Sequence, residues 1–247
     1  MSRRLLIAAN WKMNPPPQGA LQSGSPYFSS GDPEVVVFPT FIDLQNCIRS
    51  GQLIVGAQCG RPEQNGAFTG DVSIKLLKEF GCSYVLCGHS ERRENHGETD
   101  EYVAEQVAAA LEVGLHPIVC IGETWDDRKK KKEKSKVKYQ LSVLPLESDV
   151  TIAYEPVWAI SGGDPDKPAA TAEDAQQMHS FIRSLLPKDR QGPTRILYGG
   201  SMKPENAREL LSQEDIDGGL IGGASLDPKK FGEIVKIAEE LGLKQQL

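Results

Sequence analysis

The sequence predicts an α/β fold of the closed (β/α)₈ barrel type, one domain over residues 1–247. Three observations carry that expectation. Eight short apolar runs recur along the 247 residues. Most of them lack period-two alternation, as strands buried on both faces of a parallel sheet do. Helical stretches lie between several of the runs, and eight strand–helix units in about 250 residues match the size and rhythm of such a barrel. The competing architecture is a doubly wound open sheet, but no Gly-x-Gly-x-x-Gly turn follows the first run.

The strand candidates, in order, are Leu5–Ala9, Val35–Phe38, Leu53–Ala57, Tyr84–Cys87, Pro117–Ile121, Val150–Tyr154, Ile196–Tyr198 and Gly219–Ile221. Each is strand-length and most are rich in Val, Ile and Leu. Between them, Ile74–Phe80 follows the turn residues Thr69-Gly70-Asp71. Asp100–Glu112 has Val103, Val107, Ala110 and Leu111 on one face and ends before Gly114, a residue that suits a helix terminus. Ala172–Leu186, Pro204–Leu211 and Pro228–Leu241 complete the helices, with Pro204 and Pro228 where a first turn tolerates proline. The first connection fits poorly. Pro15–Pro33 holds a proline triplet and several glycines, so any helix there is short, around Gln18–Gln22. Lys129–Lys138 carries seven lysines and reads as a solvated helix face.

Composition narrows the function. The formal net charge of -6 argues against nucleic acid or an anionic membrane as the main partner. Five cysteines, an odd number without a Cys-x-x-Cys pair, suit reduced thiols in the cytoplasm better than disulfides or zinc. The apolar run near the start is broken by Asn10-Trp11-Lys12, too soon for a signal peptide, and no stretch is long enough to span a bilayer.

In a barrel of this class, chemistry sits at the carboxyl ends of the strands. Asn10 and Lys12 follow the first run, His89 to Arg92 the fourth, Glu155 the sixth, Gly199-Gly200-Ser201 the seventh and Gly222-Gly223 the eighth. Glycines after the last two strands let backbone N–H groups approach a phosphate. Lys12 supplies positive charge, Glu155 is a candidate base, and His89 can donate to a carbonyl oxygen. Together they describe proton abstraction beside a carbonyl in a small phosphorylated sugar. With no metal-ligand cluster and no dinucleotide fingerprint, the chemistry is expected to need no cofactor and no metal.

Five segments resemble triosephosphate isomerases: Ala9–Asn14, Gly88–Arg93, Tyr154–Ile160, Tyr198–Ser201 and Gly218–Leu226. Gly66–Gly70 resembles that family's dimer loop, and the resemblance runs from residue 4 to about 240. It implies that Glu155 shuttles the proton and that a neutral His89 polarises the carbonyl. Asn10 and Lys12 would hold the substrate, and Glu91 would support the His89–Lys12 side. Ser161, Ser201, Gly222 and Gly223 would bind phosphate. It also implies interconversion of dihydroxyacetone phosphate and glyceraldehyde 3-phosphate, and a homodimer built on loop 59–71. The chain departs from the family after the sixth strand: the segment from Ser161 to Ala170 is about four residues longer than usual. Ser161 stands where the family carries glycine. A flap over Ser161–Ala170, hinged at Trp158 and at Pro168–Ala170, is expected, and a longer ketose phosphate, such as a four-carbon one, is the alternative substrate.

Overall fold

The computed structural model describes residues 3–28, 31–159 and 170–245, with side chains to residue 242. Eight parallel strands close in sequence order into a barrel. They are β1 (Leu6–Asn10), β2 (Glu34–Phe38), β3 (Ile54–Ala57), β4 (Tyr84–Cys87), β5 (His116–Ile121), β6 (Thr151–Tyr154), β7 (Ile196–Tyr198) and β8 (Gly218–Ile221). Closure is made by β1 against β8, with Leu6 beside Gly218 and Ala9 beside Ile221. The competing open sheet is therefore excluded.

Alternate residues of each strand serve two cores. Leu6, Ala8, Phe38, Leu86, Cys120 and Leu197 belong to a cluster inside the barrel. Their neighbours Ile7, Ala9, Val37, Val85, Val119 and Ile196 belong to a larger cluster shared with the surrounding helices. Because both faces are buried, the polar alternation of a half-exposed strand is absent from the sequence, which is why the runs read as continuously apolar.

The outer layer comprises α1 (Leu44–Arg49), α2 (Ile74–Phe80), α3 (Ser90–His96), α4 (Asp100–Glu112), α5 (Trp125–Lys129), α6 (Glu133–Ser142), α7 (Ala172–Leu185), α8 (Pro204–Leu211) and α9 (Pro228–Gln245). Several starts are set by side-chain caps. Ser73, Thr99 and Thr171 accept hydrogen bonds from Leu76, Tyr102 and Asp174 respectively, each satisfying an N–H that the helix leaves unpaired. The expected α2, α4 and α8 have their predicted bounds, and α9 runs further than expected.

The short helix expected around Gln18–Gln22 is absent; that stretch is a series of turns. Gly19 and Gly24 adopt φ values of 80° and 79°, outside the helical region. An aromatic anchor replaces helix packing. Tyr27 stacks on Phe231 with ring centroids 4.6 Å apart, meets the edge of Trp11, and donates its hydroxyl to the carbonyl of Ser225 at 2.6 Å.

The amino-terminal end of the barrel is closed by charges. Arg195 pairs with Glu34 at 2.6 Å, and Tyr84 donates to the same carboxylate at 2.6 Å. Burial pushes Glu34 up, but the bonds from Tyr84 and Arg195 outweigh it and hold the carboxyl below its usual range. Nearby, Arg183 of α7 pairs with Asp215 at 2.5 Å and Asp217 at 2.6 Å and donates to the carbonyls of Gln191 and Thr194. Among the described residues no helix is long and apolar enough to cross a membrane.

Candidate active site

The carboxyl-terminal end holds a cavity of about 780 Å³ bordered by Asn10, Lys12, His89, Glu91, Glu155 and the glycines after β7 and β8. Asn10 ends β1 and is buried. Its Oδ1 accepts the backbone N–H of Lys12 at 3.0 Å. Lys12 has φ of 52°, a left-handed conformation uncommon for a residue with a Cβ. Gln58, just beyond β3, donates its amide Nε2 to the carbonyls of Lys12 at 2.7 Å and Phe38 at 2.9 Å. The Lys12 backbone is thus held from both sides, and its ammonium reaches Glu91 Oε1 at 2.5 Å.

His89 caps α3 and is buried. Its Nδ1 accepts the backbone N–H of Glu91 at 3.2 Å. A nitrogen that accepts a hydrogen bond carries no proton, so the ring is neutral with its hydrogen on Nε2. That Nε2 faces Glu155 Oε1 at 3.1 Å. The other oxygen of Glu155 accepts the backbone N–H of Ser90 at 2.8 Å. The carboxylate is therefore parked on the first turn of α3, where unpaired N–H groups favour negative charge.

Two glycines let Glu155 sit there. A Cβ on Gly122 would lie 1.8 Å from the Glu155 carbonyl oxygen, and one on Gly199 would lie 2.7 Å from the Glu155 Cγ. Any side chain at either position would displace the end of β6.

Gly222 follows β8, Gly223 opens a 3-10 turn over Gly223–Leu226, and both glycines line the cavity. Ser225 in that turn donates to the carbonyl of Gly222 at 2.7 Å. Ser201 donates to the carbonyl of Ala159 at 3.3 Å, and its own carbonyl accepts from Asn206 at 3.0 Å. Ser161 and all of the expected Ser161–Ala170 flap except Ala170, which is buried, lie outside the described residues.

One buried acid escaped the sequence reading. Glu123 is fully buried and accepts from Trp158 Nε1 at 2.8 Å and from the Tyr154 hydroxyl at 3.0 Å. Burial pushes its carboxyl above the usual range despite those bonds. Arg128 lies over the Trp158 ring at 4.3 Å, so the residues following Glu155 are tied to α5. The signal was a Gly-Glu-Thr directly after the fifth run.

The model of the family described as triosephosphate isomerase matches residues 5–238. Curated relatives named triosephosphate isomerase include one from Magnetococcus marinus, 45% identical, covering 93% of this chain and 96% of that protein. Another, from Aquifex aeolicus, is 42% identical and covers 94% and 98% respectively. A third, from a Thermoanaerobacter species, is 43% identical and covers 94% and 99%. A match of this extent, on a closed eight-stranded barrel, establishes that the chain belongs to the triosephosphate isomerase family.

Proposed function

We propose that Glu155, His89, Lys12 and Asn10 are the working groups in the interconversion of dihydroxyacetone phosphate and D-glyceraldehyde 3-phosphate, the reaction of the family to which the chain belongs. The observation that carries this division of roles is the contact of a neutral His89 Nε2 with Glu155 Oε1 at 3.1 Å. It sets a proton donor and a proton acceptor side by side at one cavity wall. On substrate binding, Glu155 leaves Ser90 and takes a proton from the carbon beside the carbonyl. The negative charge that develops on the carbonyl oxygen is met by Lys12 Nζ and the His89 N–H. The enediolate accepts a proton from His89 at one oxygen and gives one back from the other, and Glu155 returns its proton to the neighbouring carbon. A glutamate base beside a neutral histidine is the known acid–base pair of the triosephosphate isomerase family, so the pairing itself is not new here.

The magnitudes require several groups. A positioned base gives about 10²–10⁴ in rate, and each donor aimed at the oxyanion about 10²–10³ more. The backbone N–H groups of Gly222 and Gly223, with Ser201 and Ser161, hold the phosphate in this reading. A four-carbon ketose phosphate gains no support from the relatives described, which carry the triose name. A coupled assay supplying each triose phosphate in turn tests the reading: turnover in both directions is expected, and none in either direction would overturn it.

The same reading includes a homodimer through loop 59–71. Support comes from exposed apolar side chains: Met13 is 94% exposed and Ile42 88%, with Phe41 and Phe68 also partly exposed. Light scattering at micromolar concentration should give twice the chain mass. We place the enzyme in the cytoplasm because its five cysteines are all free, and cell fractionation tests that. We also take residues 1–247 as one domain, for which a single cooperative unfolding transition is expected.

A further inference from the structure

The lysine-rich segment finds no role in the reaction so far. Residues 129–138 hold seven lysines and one glutamate. Without them the chain has 21 Lys and Arg against 33 Asp and Glu, an excess of 12 negative charges. A phosphate dianion approaching such a body is repelled unless positive charge is concentrated where it must enter.

The fold determines where this charge stands. α6 descends from the carboxyl to the amino end of the barrel, since it leads from β5 to the start of β6. Gln140, late in α6, accepts the backbone N–H of Gly122 at 2.9 Å, and Gly122 directly follows β5. The start of α6 at Glu133 is seven residues earlier, which at 1.5 Å per residue puts it about 10 Å above the carboxyl end of the strands. That is the end on which the cavity opens. Laterally, the ridge continues from Arg128, which lies over Trp158, three residues beyond Glu155.

The charges there are available. Lys129, Lys130, Lys131, Lys132 and Lys134 are exposed. Lys129 has Asp126 at 3.9 Å, Lys134 lies over the Phe181 ring, and Lys136 is spent on Asp100 at 2.8 Å. Among the described residues, Lys131, Lys132 and Lys134 form no ion pair with a carboxylate, and Lys130 acts on Asp127 only through space.

We infer that this ridge is an electrostatic funnel that draws the doubly negative phosphate ester to the mouth of an otherwise acidic protein. The inference rests on the isomerase reading above. Screening lengths of about 30 Å at 0.01 M salt and about 8 Å at 0.15 M allow the ridge to act across the mouth in dilute buffer and much less in concentrated buffer.

The test compares two variants of equal charge. In one, Lys130, Lys132 and Lys134 become Gln. In the other, the exposed Arg49, Lys188 and Lys236, set away from the mouth, become Gln. Steady-state kinetics on both triose phosphates are read at about 0.01 M and 0.3 M ionic strength. The ridge variant should lose about three- to tenfold in kcat/KM at low salt, with kcat within about twofold, and recover at high salt. The distant variant should stay within about twofold throughout. Equal losses in the two variants, no loss in the ridge variant, or a loss that persists at high salt would overturn the funnel alone. Absence of turnover by the unaltered enzyme would overturn the isomerase reading and the funnel with it.

Discussion

The two ends of the barrel use the same kinds of side chain in opposite ways. At the amino-terminal end Arg183 gives its donors to Asp215, Asp217 and the carbonyls of Gln191 and Thr194. Arg3 takes the other oxygen of Asp217 at 2.5 Å, and the backbone N–H of Ile196 donates to the same carboxylate. Each charge there is neutralised by neighbours fixed in the fold. At the carboxyl-terminal end Glu155 and His89 are as deeply buried, yet in the proposed reaction their bonds to each other and to Ser90 are exchanged for bonds to a substrate. Saturation at one end gives rigidity, while exchangeable bonds at the other allow chemistry.

The comparison can be broken by substitutions at either end. The largest effect is expected at the upper end: Glu155→Gln should lower kcat by about 10²–10⁴, because glutamine keeps the shape and cannot take the proton. Its melting temperature should change little. A variant retaining more than about a tenth of the activity would remove Glu155 from the base role.

Arg183→Met at the lower end should do the reverse. It leaves the buried Asp215 without its cation and takes one of two arginines from Asp217, and should cost about 3–5 kcal/mol in denaturant unfolding. Below the melting range kcat should be unchanged, and a drop in kcat matching that of Glu155→Gln would erase the distinction between the ends.

His179 sharpens the same point through pH. It is fully buried in α7, and its Nδ1 meets the Asp215 carbonyl at 3.2 Å. Burial pushes its pKa from 6.5 down to about 4. The folded state thus binds this proton less readily than the unfolded chain. Stability from the neutral ring is complete above pH 6.5 and is lost as pH falls from there towards 4. At pH 5 the loss amounts to about 2 kcal/mol relative to pH 7.5. His179→Leu should flatten the stability profile between pH 6.5 and 4; an unchanged slope would show that other groups set it. The smallest effect is expected from Ser73→Ala, which removes the cap of α2 at about 1 kcal/mol and should leave kcat intact.

The strands and much of the site were legible because they follow rules that act locally. A strand buried on both faces is apolar throughout, and a residue just beyond its carboxyl end lies on the reactive face of the barrel. α1 and α3 are too short for a periodic pattern to show; α1 is held by burying Leu44 and Cys47, and α3 by the ion pairs of Arg92 with Glu98 and Arg93 with Asp100. The turns over residues 18–24 depend on Tyr27 meeting Phe231, a contact between residues more than two hundred positions apart. Glu123 stands two residues beyond β5, where position alone marks a candidate, but its burial and its partners Trp158 and Tyr154 are supplied only by the fold.

The left-handed backbone of Lys12 has a consequence for how this protein can change. Holding a side-chain-bearing residue at φ of 52° costs on the order of 1 kcal/mol, a cost that glycine would remove. A mutant library screened for heat tolerance alone will therefore favour glycine at position 12 and discard the ammonium that faces the cavity. Selection must include turnover from its first round, or the hardiest survivors will be empty barrels.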